Sequence, residues 1–230
     1  MNYKKAVTVG IILVTLCFGL YQYVDKQHYV KHLSTQLADA LAGMSHSISD
    51  NKELYEDILS SETITLQQIE LIISNNEHFS NDIREFEAIA VNFNRATSDE
   101  IGYNTAVTAF SIEAIFYKIQ WNLANEKDVV ELPHLTTVMS ETDEIKLNDE
   151  EVEQIHMIHA LNELWYKALI KHIDGVYPDT GKPNYDIFFD IHSDKGFLKN
   201  DWIKLIIDLN KSTTEFLETN EKFEEALILE

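Results

Sequence analysis

The sequence predicts an all-α protein, with an N-terminal transmembrane helix followed by an antiparallel, helical-bundle-like domain. Three observations lead there. Gly and Pro are scarce, 7 and 3 among 230 residues, where average usage gives about 28 together, and an all-β fold needs those turn residues. Apolar positions recur at spacings of three and four through most of the chain, the period of a helix with one buried face. Residues 6–24 form a single apolar run, AVTVGIILVTLCFGLYQYV, in which Gln22 alone is strongly polar.

As a helix that run spans roughly 28 Å, close to the hydrocarbon core of a bilayer. Ala6, Ile11, Ile12, Leu13, Leu16, Phe18 and Leu20 are its expected lipid-facing residues. Lys4 and Lys5 precede it, and Tyr21 and Tyr23 lie where an interfacial aromatic belt belongs. The positive-inside rule then predicts a single-pass protein with residues 1–24 as anchor, a cytoplasmic N-terminus and residues 25–230 extracytoplasmic, in the periplasm or at a cell surface. A cleaved signal peptide ending after Gly19 is the main alternative, and it would make the protein secreted. A lipoprotein with Cys17 as the lipidated residue is disfavoured by the large Leu16 before it.

Beyond the anchor the chain is acidic and helical. All 39 acidic residues lie from Asp25 onward against 16 basic ones, a net charge of −23 for that part. Phosphates must be met by Lys and Arg, so nucleic acid is excluded as an expected partner. An amphipathic stripe through Val30, Leu33, Leu37, Ala40, Met44 and Ile48 predicts a helix continuous with the anchor and running to about Leu59. Thr65 and Gln68 have the spacing of a capping box, opening a set of Leu66, Ile69, Ile72 and Ile73. A second set follows Ser80 (Ile83, Phe86, Ile89, Ala90, Phe93). A third runs through Tyr103, Val107, Phe110, Ile115, Phe116, Ile119 and Leu123. Residues 126–148 break the pattern, with a short edge strand at 129–132 as a minor alternative. Asn148 and Glu151 mark the start of a helix that Asp174-Gly175 terminates. The last helical region covers about 200–229, with a break at Ser212. Trp121, Trp165 and Trp202 are expected in the core.

Catalytic signatures are absent: no G-x-S-x-G, Walker A, H-E-x-x-H or G-x-G-x-x-G occurs. The single cysteine lies in the anchor, which excludes Cys–His catalysis and multi-Cys zinc sites downstream. The nearest approach to a ligand set is His156, His159 and Glu163, which share one helix face and offer imidazole and carboxylate donors to Zn²⁺. That face lies nearly opposite the apolar stripe of the same helix, so the expected site is a surface one. Asp190 to Asp201 loosely follows the spacing of a calcium loop, with His192 in place of an oxygen donor. The acidic stretch 141–153 is a further candidate for Ca²⁺. Asn210-Lys211-Ser212 fits the glycosylation acceptor pattern.

The function these features predict is a membrane-anchored, extracytoplasmic helical interaction or scaffold domain without catalysis, its protein partner unidentified. The alternative is an exported helical protein that binds Zn or Ca; an unrecognised hydrolase is a distant third.

Overall fold

The computed structural model describes residues 3–126 and 143–227, without the side chains of residues 4–6, 9, 124–126, 222, 225 and 226. The predicted strand at 129–132 and Glu141 therefore lie outside the described residues. The described part is all-α apart from one short ladder. Helix α1 spans Tyr3–Ser61, α2 Leu66–Asn92, α3 Ser98–Ile101, α4 Asn104–Glu126, α5 Asp149–His172, α6 Tyr185–His192, α7 Asp201–Thr219 and α8 Glu221–Leu227. Strand β1 (Thr63–Thr65) pairs antiparallel with β2 (Glu144–Lys146), Ile64 opposite Ile145.

Five long helices close a ring in the order α1, α2, α4, α7, α5 and back to α1. Side-chain pairs fix their directions. Asn75 of α2 donates to Asn51 of α1 at 2.9 Å while Asp82 of α2 lies beside Gly43 of α1, and Glu77 of α2 lies near Glu113 of α4 while Arg84 lies over Phe110, so α2 is antiparallel to both neighbours. The Asn162 amide of α5 donates to the Ile48 carbonyl of α1 at 3.0 Å, and Lys171 of α5 meets Asp208 of α7 at 2.7 Å. Inside the ring Leu41, Met44, Ile48, Phe79, Phe116, Trp165 and Leu209 are buried. The Trp165 indole packs on Phe79 at 4.8 Å between ring centres and donates to the Thr213 hydroxyl at 2.8 Å. The large apolar surface thus comes with its one polar atom satisfied.

Helix α1 has two halves. From Val30 onward it buries one face in the ring. Every described residue before Val30 is exposed, with Ile11, Leu16, Phe18, Leu20 and Tyr21 between 58% and 66%. Ala6 lies outside the described side chains. Among the described residues no helix is long and apolar enough to cross a membrane.

Local signals in the sequence hold up well. Thr65 with Gln68 and Asn148 with Glu151 both form complete capping boxes. Three expectations need correction. The two periodic sets on either side of Ser80 are one helix, because the polar run between them faces α1 and α4: Asn76 is buried near the Tyr55 hydroxyl of α1, and Ser80 donates to the Ala106 carbonyl of α4. The last helical region does not break at Ser212, whose hydroxyl bonds back to the Leu209 carbonyl at 3.0 Å; it breaks at Asn220. Trp121, together with Tyr103, Val107 and Phe110 of the third set, is exposed. Asn210, in the acceptor pattern, takes the Asn104 amide on its side-chain oxygen at 3.0 Å.

Two carboxyls on α2, the buried Glu87 and the half-buried Asp82, lack a balancing cation strong enough to keep them charged. Burial, and then the charge of Glu85, pushes Asp82 up to about 7. Burial pushes Glu87 up to about 7 against a small opposing pull from Arg84, and its Oε2 has no hydrogen-bond partner. In an unfolded chain both titrate near 4. The folded state therefore holds the extra protons, and stability falls as pH rises from about 4 through about 7. Glu87→Gln is expected to raise Tm at pH 8 and leave it nearly unchanged at pH 4. A variant melting lower than the parent at pH 8 would contradict this.

The loop before α6 is locked by Gly181, at φ +69°. A Cβ built there meets Ser49 Oγ at 2.5 Å and a Tyr166 ring carbon at 2.6 Å. Gly181→Ala combines left-handed strain with a clash against α1 and α5, and should cost about 2 kcal/mol or more in a urea melt; an unchanged midpoint would show that the loop yields.

Candidate metal centre

The α1–α5 seam holds the polar cluster. Lys52 and Glu56 stand one turn apart on α1; His159 and Glu163 stand one turn apart on α5. Their spacing of four puts each pair on one face, and the antiparallel crossing brings the faces together. Ligand atoms of Glu56, His159 and Glu163 all lie within 4.8 Å of one another. The Lys52 ammonium donates to Glu56 Oε1 at 2.9 Å and to Glu163 Oε1. It also stands 5.3 Å from the Tyr166 ring centre.

His159 Nε2 lies 4.0 Å from Glu56 Oε1 and 3.9 Å from Glu163 Oε1. The atom is buried and has no hydrogen-bond partner. Burial lowers the His159 pKa, the charges of Lys52 and His156 push the same way, and Glu163 and Glu56 oppose them. The ring is thus neutral at pH 7, the form that ligates metals. Burial pulls Lys52 down, but its hydrogen bonds to Glu163 and Glu56 together outweigh that and leave its pKa raised. In charge terms the ammonium occupies the place a dication would take between the two carboxylates.

Of the three residues read from the sequence, His159 and Glu163 come together and His156 does not: it is exposed outside the cluster. The face is also more covered than the surface site the sequence predicts. Packing against α1 leaves His159 and Glu163 with about a quarter of their side chains exposed. Lys52 and Glu56 escaped the sequence reading. Their i, i+4 spacing was visible, but nothing local links residue 52 to residue 163.

The other cation candidates lie in regular structure. His192 is buried and its Nε2 lies 2.8 Å from the Asp174 carbonyl, so the Asp190–Asp201 segment is the end of α6, a 3₁₀ turn at Gly196–Leu198 and the start of α7. Asp149, Glu150 and Glu151 form the acidic first turn of α5, where the helix dipole favours them.

No family model matches the chain, and neither a curated protein nor a solved structure matches it.

Lys52→Ala removes a partly exposed bridge and should cost about 1 kcal/mol. It should also make the melt respond to Zn²⁺: added metal raises Tm in the variant, by several degrees at saturation, and does so less in the parent. No response in either protein would rule out the cluster as a metal site.

Proposed function

We propose that the protein is a membrane-tethered, extracytoplasmic helical interaction module, anchored by the first part of α1 and presenting an acidic domain outside the cytoplasm. The observation that carries this reading is the exposed half of α1. A helix whose sequence is apolar from Ala6 to Val24 save Gln22, and whose described side chains there are all exposed, is unfavourable in water, and a bilayer is the surroundings that cover such a surface completely. At 1.5 Å per residue, residues 3–29 reach about 40 Å beyond the bundle, enough for a hydrocarbon core and one headgroup layer. Lys4 and Lys5 before the apolar run favour a cytoplasmic N-terminus. Absent catalytic signatures and the surplus of acidic over basic residues, 39 to 18, favour recognition over catalysis.

A second reading, metal binding, has one observation behind it: the unpartnered His159 Nε2 beside two carboxylates. It requires Zn²⁺ to displace Lys52, and for that reason it ranks below the first.

The anchor is tested by flotation. The full chain should float with lipid vesicles and resist alkaline carbonate. Leu13→Arg with Leu16→Arg should release it, since each arginine costs about 2.5 kcal/mol or more at a membrane helix centre. In a Cys17→Ala background, Lys26→Cys should react with an impermeant maleimide added outside intact cells. A full chain that stays dispersed in detergent-free buffer and never floats would overturn the reading.

A further inference from the structure

Helix α4 exposes what its sequence pattern would bury. Tyr103, whose carbonyl accepts the Val107 amide at 3.2 Å, begins a ridge that continues through Val107, Phe110, Ala114, Tyr117 and Trp121. The five large residues are 43–55% exposed. The spacings are four, three, four, three and four, the a/d repeat of a coiled-coil seam. The buried face of the same helix is a separate set, with Ala109, Ile112, Phe116, Ile119 and Leu123 facing the ring. The ridge is therefore a second apolar face and not the edge of the first.

We infer that this ridge is the interface of a parallel two-fold dimer, with α4 packed in register against α4 of a second copy. Three observations select that occupant. With Val107, Ala114 and Trp121 at a and Tyr103, Phe110 and Tyr117 at d, Glu113 falls at g and Lys118 at e. In a parallel dimer a g residue meets the e residue five positions on in the other chain, so Glu113 meets Lys118 twice across the two-fold axis. Lys118 is exposed and has no ion-pair partner among the described residues. Glu113 is only 9% exposed, and burial, with Glu77 adding to it and Arg84 opposing, raises its pKa. It gains a cation from the second copy.

The third observation is direction. Helix α4 runs antiparallel to α2, which runs antiparallel to α1, so α4 and α1 point the same way. Two copies side by side in one bilayer have parallel α4 helices, as the register requires. The ridge climbs away from the exposed half of α1, so a bilayer there reaches the Tyr103 end and not Trp121. Net charge opposes self-association, but repulsion between exposed charges is screened beyond about 8 Å at physiological salt, and a shared membrane raises the local concentration. The parallel orientation rests on the tethered reading above.

The test uses the full chain in proteoliposomes, with Ala114→Cys in a Cys17→Ala background. Copper-phenanthroline should link the two copies through residue 114, while Lys167→Cys on α5 gives no product. Lys118→Glu should raise the dissociation constant about tenfold or more, and adding Glu113→Lys should restore it. If the buried Glu113→Lys fails to fold, Phe110→Asp serves instead: it lies on the exposed ridge, should leave the melt intact and should abolish the product. Four results would overturn the inference: a chain that stays monomeric, whether its ridge is free, on lipid or under its own residues 127–142; cross-linking of Val107→Cys to Tyr117→Cys in place of 114 to 114, the mark of an antiparallel pair; a dimer that survives Phe110→Asp, since contact would then run through α1; and no rescue by the charge swap in a folded protein. Failed flotation with the 114 product present would remove the tether alone. Flotation without the product would remove the dimer alone.

Discussion

One helix runs through two surroundings, and the change falls at Val30. Before that residue every described side chain of α1 is exposed, apolar up to Val24 save Gln22 and polar from Asp25 to His28, with Tyr29 meeting Phe93 at 6.0 Å between ring centres; after it α1 is one-sided, its buried stripe passing through Leu33, Leu37, Leu41, Met44 and Ile48. Because the backbone hydrogen bonds continue across the change, the two halves are mechanically one rod from Tyr3 to Ser61. The ring of helices is built on the second half, so whatever holds the first half also sets the orientation of the bundle. The charge pattern follows from the same division, with every acidic residue lying from Asp25 onward.

Polar groups inside the ring are arranged to hold register more than to add net stability. The Asn162 amide ties α5 to the Ile48 carbonyl, the Trp165 indole ties α5 to Thr213, and Asn75 ties α2 to Asn51. Each such bond contributes only about 1 kcal/mol net, but leaving either partner unmatched would cost more. The Lys52 bridge acts at the same seam, where it neutralises two carboxylates that would otherwise repel each other across α1 and α5.

Local features were legible in the sequence and tertiary ones were not. The capping boxes at Thr65 and Asn148 were readable because each is closed within four residues. The Asn75-Asn76 run read as a gap between helices because its partners, Asn51 and Tyr55, lie more than 20 residues away. The short α6 carries a nearly continuous apolar run, Ile187-Phe188-Phe189, without a helical period long enough to register. At the candidate centre the sequence supplied the α5 half, His159 and Glu163, and could not supply the α1 half. The α4 ridge shows the opposite error. Its apolar residues were read as one periodic set with Trp121 in the core, when period alone does not distinguish one apolar face from two.

The central claim is that α1 passes from lipid to protein surroundings within a few residues of Val24–Val30. Spin labels on single cysteines placed along residues 7–34, in a Cys17→Ala full chain reconstituted in vesicles, measure it directly through collision with oxygen and with a water-soluble nickel chelate. The account predicts oxygen-rich, nickel-excluded positions through residues 7–24, a crossover to water at 25–29, and immobilised labels facing the ring from Val30. Nickel access throughout residues 7–24 would contradict it.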